Sequence, residues 1–182
     1  MQEQSILTTY DDYRLLPNDG NRYEIMDGEL YMTPAPSTEH QEVSLHLERT
    51  LLDYLEKSHW GKLYHAPVDV VLSMTDVVQP DIVLISKERS AIITRKNIVA
   101  APDIVIEIIS ETTEKMDRIT KKAVFERFGV AEYWIVDPEK KVIEVFKLMK
   151  EKYESPIMFK HTDMLTSSRL PGLSLSLRLI FT

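Results

Sequence analysis

The residue of this chain least explained by packing alone is Glu107. It stands within Ile104-Val-Ile-Glu-Ile-Ile109, the most apolar stretch of the sequence. An ionised carboxylate there carries a heavy desolvation cost unless a partner meets it. Asp81 is a second such carboxylate, at the mouth of Ile82-Val-Leu-Ile85. Two carboxylates entering a core from two strands make a natural cradle for a divalent cation, because each metal–oxygen contact offsets lost hydration. Lys121 adds a cation. On an ideal helix, at about 100° per residue, Asp117, Lys121, Val124, Phe125 and Phe128 share one arc, whereas Lys122 and Glu126 fall elsewhere and read as solvated. An ammonium rising from that apolar arc wants a partner; beside metal-binding carboxylates it can orient an attacking water or stabilise a pentacovalent phosphate. Each residue also has a plainer reading: Glu107 paired with an arginine, Asp81 capping a strand, Lys121 laying its stem over apolar neighbours in solvent. Together the three point to chemistry.

The elements that must position them follow from periodicity and punctuation. A short helix is expected over 10–16, ending before Pro17 and the turn residues Asn18, Asp19 and Gly20. Arg22-Tyr-Glu-Ile-Met26 and Glu29-Leu-Tyr-Met32 flank Asp27-Gly28, a strong hairpin signal because both turn positions need positive φ. Thr38 with Gln41 resembles a capping box opening a helix to about Lys57, with Val43, Leu47, Leu51 and Tyr54 as its core stripe. Pro67 to Ser73 and Val77 to Ser86 read as an antiparallel pair of strands. Ala101 to Ser110, rich in β-branched residues on both faces, reads as a central strand. Thr112 or Thr113 caps a helix running to Gly129. Strands follow at Glu132 to Val136 and Lys141 to Phe146, then weaker ones near Ile157 and over 173–181. The fold expected is α/β (α+β): a mixed central sheet flanked by helices, with an N-terminal β-hairpin, in one domain over 1–182.

Composition narrows the chemistry. At 182 residues, 43% hydrophobic and 28% charged, the chain is long enough for a substantial core. The absence of cysteine excludes disulfides, zinc–thiolate sites and a thiol nucleophile. A metal would be held by carboxylates, histidines and carbonyls, a donor set suited to Mg²⁺ or Mn²⁺. A net charge of −7 argues against a protein that coats nucleic acid generally, but leaves room for a local site with bound cations. No signal-peptide pattern and no membrane-spanning apolar run is present, so a cytoplasmic protein is expected.

Arg22-Tyr-Glu-Ile-Met-Asp-Gly-Glu-Leu30, Pro67-Val-Asp-Val70, Gln79-Pro-Asp81, Ala101-Pro-Asp-Ile-Val-Ile-Glu107, Asp117-Arg-Ile-Thr-Lys121, Gly129-Val-Ala-Glu-Tyr-Trp-Ile-Val-Asp-Pro138 and Leu170-Pro-Gly172 occur in this order. As a set they resemble the putative restriction endonuclease family of cyanobacteria and other bacteria, assigned to the PD-(D/E)XK superfamily. The resemblance spans about Thr8 to Phe181. It implies a restriction-endonuclease-like fold and Mg²⁺-dependent hydrolysis of DNA phosphodiester bonds, with Asp81 and Glu107 as the acidic motif residues and metal ligands. The superfamily's lysine stands two residues after that glutamate, where this chain has Ile109; the resemblance implies that Lys121 takes over from the helix. It also brings in Glu24, whose plainer reading is a hairpin edge facing water. His40 reads either as a contact to phosphate or metal-bound water or as a surface residue. Asp69 competes with Asp81 as a ligand, and Tyr133 and Trp134 read as core. A homodimer is expected by analogy, two sites serving two strands. The alternative is a catalytically degenerate scaffold that binds DNA or protein.

Overall fold

The computed structural model describes residues 8–17 and 19–182; Asn18, expected in a turn, lies outside them. Helix α1 (Tyr10–Tyr13) is capped by Thr9, whose side chain accepts from the backbone of Asp12 while Asp12 accepts in return from Thr9. It stops before the expected Leu16, and a turn carries the chain to Pro17. Strands β1 (Arg22–Met26) and β2 (Glu29–Thr33) make the expected hairpin, with φ of 52° at Asp27 and 77° at Gly28. Helix α2 (Thr38–Ser58) buries Val43, Leu47, Leu51 and Leu55. Its cap is Ser37, whose Oγ accepts from the His40 backbone, in place of the expected Thr38–Gln41 box.

Next come β3 (Gly61–His65), β4 (Val70–Ser73), β5 (Asp76–Val78) and β6 (Ile82–Ser86). The run Val77 to Ser86 is therefore two strands. Pro80 offers no N–H to a ladder, and the chain bends at Gln79-Pro80-Asp81. Its first half pairs antiparallel with β4 and its second half joins another sheet. After β7 (Ile98–Val99) comes β8 (Ile104–Ile108), buried at every position. A helical stretch then runs to Gly129, where φ is 81°. After Glu114 and Lys115 it passes through a π-helix over Met116–Lys121 and continues as α3 (Lys122–Phe128), where a uniform α-helix was expected. The chain ends with β9 (Glu132–Asp137), β10 (Val142–Met149), β11 (Lys152–Tyr153), β12 (Ile157–Lys160), β13 (Met164–Leu165) and β14 (Leu175–Ser176). The strand expected over 173–181 is confined to β14, followed by a 3-10 turn.

The central sheet has the order β11-β10-β9-β8-β6-β3, with β12 also on β10; the hairpin belongs to a second sheet, β2-β1-β5-β4-β7. In the central sheet β8 and β9 are parallel and the other pairs antiparallel, so the sheet is mixed, as expected. A parallel pair needs a long crossover, and the π/α helical stretch supplies it. Strand alternation sorts the core into two layers. Ile82, Leu84, Ile104, Ile106, Ile108, Trp134 and Val136 face Leu47 and Leu51 of α2. Val83, Ile85, Val105, Tyr133 and Ile135 face Val124 and Phe125 of α3. Glu107 has the parity of the second set, so its strand delivers it towards the helix that carries Lys121. No described helix is long and apolar enough to cross a membrane.

Candidate active site

The register Ile82↔Ile106 and Val83↔Val105, continued by one residue, sets Asp81 opposite Glu107. The Asp81 N–H lies 3.3 Å from Glu107 Oε2. The bend at Pro80 thus places one carboxylate at the exact end of β6, across from the other in the middle of the sheet. Glu107 is 3% exposed and Lys121 5%. Lys121 Nζ lies 3.0 Å from Glu107 Oε1, 3.1 Å from Glu24 Oε1 and 3.6 Å from Asp117 Oδ1. The ammonium therefore comes from the helix. Ile109, in the strand position where a lysine would stand, packs into the apolar layer beneath α3.

Glu24 does not face water. It is buried, with Oε1 accepting from the Gln79 backbone at 2.7 Å and Oε2 from Thr33 Oγ1 at 3.2 Å. Its strand belongs to the hairpin sheet, and β1 pairs with β5 just before the bend, so the second sheet brings Glu24 over the first. His40 is likewise no surface residue: Nε2 lies 3.0 Å from Asp81 Oδ2, which also accepts from the Ile108 N–H at 2.9 Å. Asp69 stands apart from the cluster, bonded to Tyr13 and to the side chain of Gln79. Tyr133 and Trp134 are fully buried, as expected. Lys122 and Glu126 are not free in solvent: Lys122 Nζ lies 4.6 Å from the centre of the Phe146 ring, and Glu126 accepts from Lys152 and the Tyr153 backbone.

The π segment shapes the lysine's approach. The Lys122 N–H reaches back to the Asp117 carbonyl, and the Tyr133 hydroxyl donates to the same oxygen at 3.0 Å. Such insertions recur at functional sites. Asp117 joins the cluster unannounced by its residue type: its i,i+4 spacing from Lys121 is the one mark in the sequence, and solvated helix pairs share it.

Four carboxylates, Glu24, Asp81, Glu107 and Asp117, thus crowd one ammonium. Burial pushes Glu107 well above the usual carboxylate range; Lys121 opposes this, and the neighbouring carboxylates reinforce it. Burial likewise pushes Asp117 up to about 6. Burial works against the Asp81 anion too, but the hydrogen bond and charge of His40, the Ile108 N–H and Lys121 outweigh it, and Asp81 is held below its usual range. For Lys121 burial favours the neutral amine, yet the four carboxylates hold it well above the usual lysine range. It is a donor, not a base. A cavity of about 130 Å³ opens onto Asp81, Glu107, Asp117 and Lys121, with His40, Gln79 and Arg22 in its wall.

No curated protein matches the chain. A crystal structure titled as a putative nuclease belonging to DUF820 from Anabaena variabilis aligns with a TM-score of 0.79 at 18% identity, covering 95% of this chain and 97% of that one. At that identity the likeness establishes a shared fold. The family described as "Uma2: Putative restriction endonuclease" matches residues 10–178, nearly the whole of the chain, and takes in β1, the bend at Pro80, β8 and the π segment. The chain belongs to that family.

Proposed function

We propose that the chain is a metal-dependent endonuclease that hydrolyses DNA phosphodiester bonds, with Asp81 and Glu107 as metal ligands and Lys121 and Glu24 completing the catalytic set. The observation that carries this reading is the meeting of Asp81, Glu107 and the Lys121 ammonium, from three separate elements, at a cavity open to solvent. A divalent cation fits the donors. Asp81 Oδ1 accepts no hydrogen bond among the described residues and is not sealed from solvent, so it is available to a ligand. Among the described residues no three acidic or histidine side chains converge to cage an ion. Mg²⁺ needs only one or two carboxylates and keeps its remaining waters.

Bound there, Mg²⁺ or Mn²⁺ would lower the pKa of an attacking water and neutralise charge on the phosphate. Asp81 and Glu107 orient that chemistry from two strands whose register fixes their separation. Lys121, held protonated, donates to the attacking water or to a phosphate oxygen, where charge accumulates during reaction. Glu24 and Asp117 aim the ammonium, and His40 fixes the Asp81 carboxylate. Paired sites in a homodimer would let both strands be cut.

The test is cleavage of supercoiled plasmid in Mg²⁺ and in Mn²⁺ by wild type, Asp81→Asn, Glu107→Gln and Lys121→Gln, each checked for fold by circular dichroism. The reading requires nicking or linearisation by wild type and its loss in the folded variants. A second reading, a degenerate scaffold that binds without cutting, draws on one observation: Lys121 already meets three carboxylates, as a purely structural ion cluster would have it. Silence of wild type with both metals would favour it.

A further inference from the structure

The cavity at Asp81 and Glu107 shares lining residues with two flanking cavities, and His40 stands in the wall of all three. The two flanks differ in charge. The one beyond Ser110 is walled by Glu39, Glu111, Glu114, Asp137 and Glu139, and its Lys140 is already paired, 2.8 Å from Asp137 and 3.6 Å from Glu114. A phosphate entering there meets repulsion. The other flank is lined by Gln41, Ser44, His65 and a single further carboxylate, Glu48, which accepts from Ser44 at 3.0 Å. Arg22 stands between this milder flank and the centre, and lines both.

Strand geometry explains its place. Arg22 and Glu24 are two apart on β1, so they project from the same face, about 6.7 Å apart along the strand. Glu24 reaches Lys121 at the floor of the site; Arg22 is one step nearer the mouth. It is half-buried, yet among the described residues it makes no side-chain hydrogen bond and has no carboxylate within 4.0 Å. Arg89, Arg118 and Arg127 all have carboxylate partners. A covered guanidinium with all five donors open is suited to an external anion.

Resting on the nuclease reading, we propose that Arg22 is the substrate clamp: its guanidinium takes a backbone phosphate of the DNA strand on the His65 side of the scissile bond. The strand is then gripped on one side of the reaction centre and passes the acidic flank unheld. Arginine suits this task because its planar fork meets two phosphate oxygens at once, whereas lysine offers a point charge.

The test uses the full chain and a short fluorescent DNA duplex, with Ca²⁺ in place of Mg²⁺ to hold cleavage off. Arg22→Gln should weaken binding roughly 10-fold and flatten the slope of log K against log salt by about one, and Arg22→Lys should restore only part of the loss. Duplexes carrying one neutral methylphosphonate each locate the contact: wild type loses affinity at one flanking phosphate, and Arg22→Gln is indifferent there while still sensitive elsewhere. In Mg²⁺, Arg22→Gln raises KM more than it lowers kcat. Wild-type affinity and salt slope in Arg22→Gln, or an unchanged methylphosphonate profile, would overturn the clamp. Wild type that binds DNA but never cuts it removes the nuclease reading and leaves the clamp standing when Arg22→Gln shows the expected loss. Wild type that cuts, with KM unchanged in Arg22→Gln, removes the clamp alone. Wild type that neither binds nor cuts removes both.

Discussion

Charge balance around Lys121 governs what each neighbouring side chain can do. Asp117 is the member whose protonation falls within an accessible range, since burial pushes it up to about 6 against the pull of Lys121. In the unfolded chain an aspartate titrates near about 3.9. Between these values the native state holds more protons than the unfolded one, so this group's contribution to stability falls as pH rises from about 4 through 6. Asp117→Asn removes that penalty. In chelator at pH 7 we expect it to gain about 1–3 kcal/mol in urea unfolding, and to flatten the stability profile across that window. Loss of stability with an unchanged profile would mean that pairing with Lys121 outweighs the burial of Asp117. Activity should still fall, because Asp117 helps aim the ammonium. Glu107 and Asp81 could be read in the sequence because an ionisable group in a β-branched run has no packing explanation. Asp117 could not be singled out, since a carboxylate on a helix is ordinarily solvated, and Arg22 resembled any first residue of a hairpin strand.

The elements place these groups by three departures from uniform structure: the bend at Pro80, the π segment and the helical source of the lysine. The hairpin, α2, β8 and the helical lysine followed from period, turn residues and the arc through Lys121. The bend and the π segment did not. A β-branched run such as Val77 to Ser86 says that a strand is buried, not which sheet each half joins, and Pro80 was the mark that it divides. Likewise the arc through Asp117 and Lys121 survives in a π-helix, so periodicity alone could not distinguish it from an α-helix. The far end of β6 carries a tighter constraint. A Cβ on Gly61 would collide with the carbonyl group of Ile85, backbone against backbone where β3 pairs with β6. Gly61→Ala should therefore cost at least about 2 kcal/mol, measured by thermal unfolding. Gly20→Ala meets no neighbour and suffers only from its φ of 86°, at about 1 kcal/mol. Equal losses would show that β3 yields readily. Because Gly61 pairs with Ser86, at the end of β6 away from Asp81, the folded fraction of the variant should keep its activity.

At the scale of the whole molecule, the chain carries a net charge of −7 and concentrates part of it at the cavity beside Lys121. DNA approaching that cavity is opposed by the same carboxylates that favour a divalent cation, so cation binding should come first and DNA binding should depend on it. The cation should also stabilise the fold, since it binds the native cluster and not the separated carboxylates of the unfolded chain. At a concentration 100 times Kd the gain is about 2.7 kcal/mol; at roughly 2–4 °C per kcal/mol for a chain of this size, Mn²⁺ should raise Tm by about 5–10 °C and chelator should reverse the rise. Glu107→Gln should begin as stable as metal-free wild type or more so, because burial disfavours its anion, whereas Asp81→Asn should begin less stable, because the Asp81 anion is favoured by His40, the Ile108 N–H and Lys121; neither should show a rise. Arg22→Gln should rise as wild type does, separating ion binding from the grip on DNA. A Tm indifferent to Mn²⁺, or one that rises equally in Asp81→Asn, would leave the cluster to Lys121 and His40 and remove the basis for metal-dependent hydrolysis.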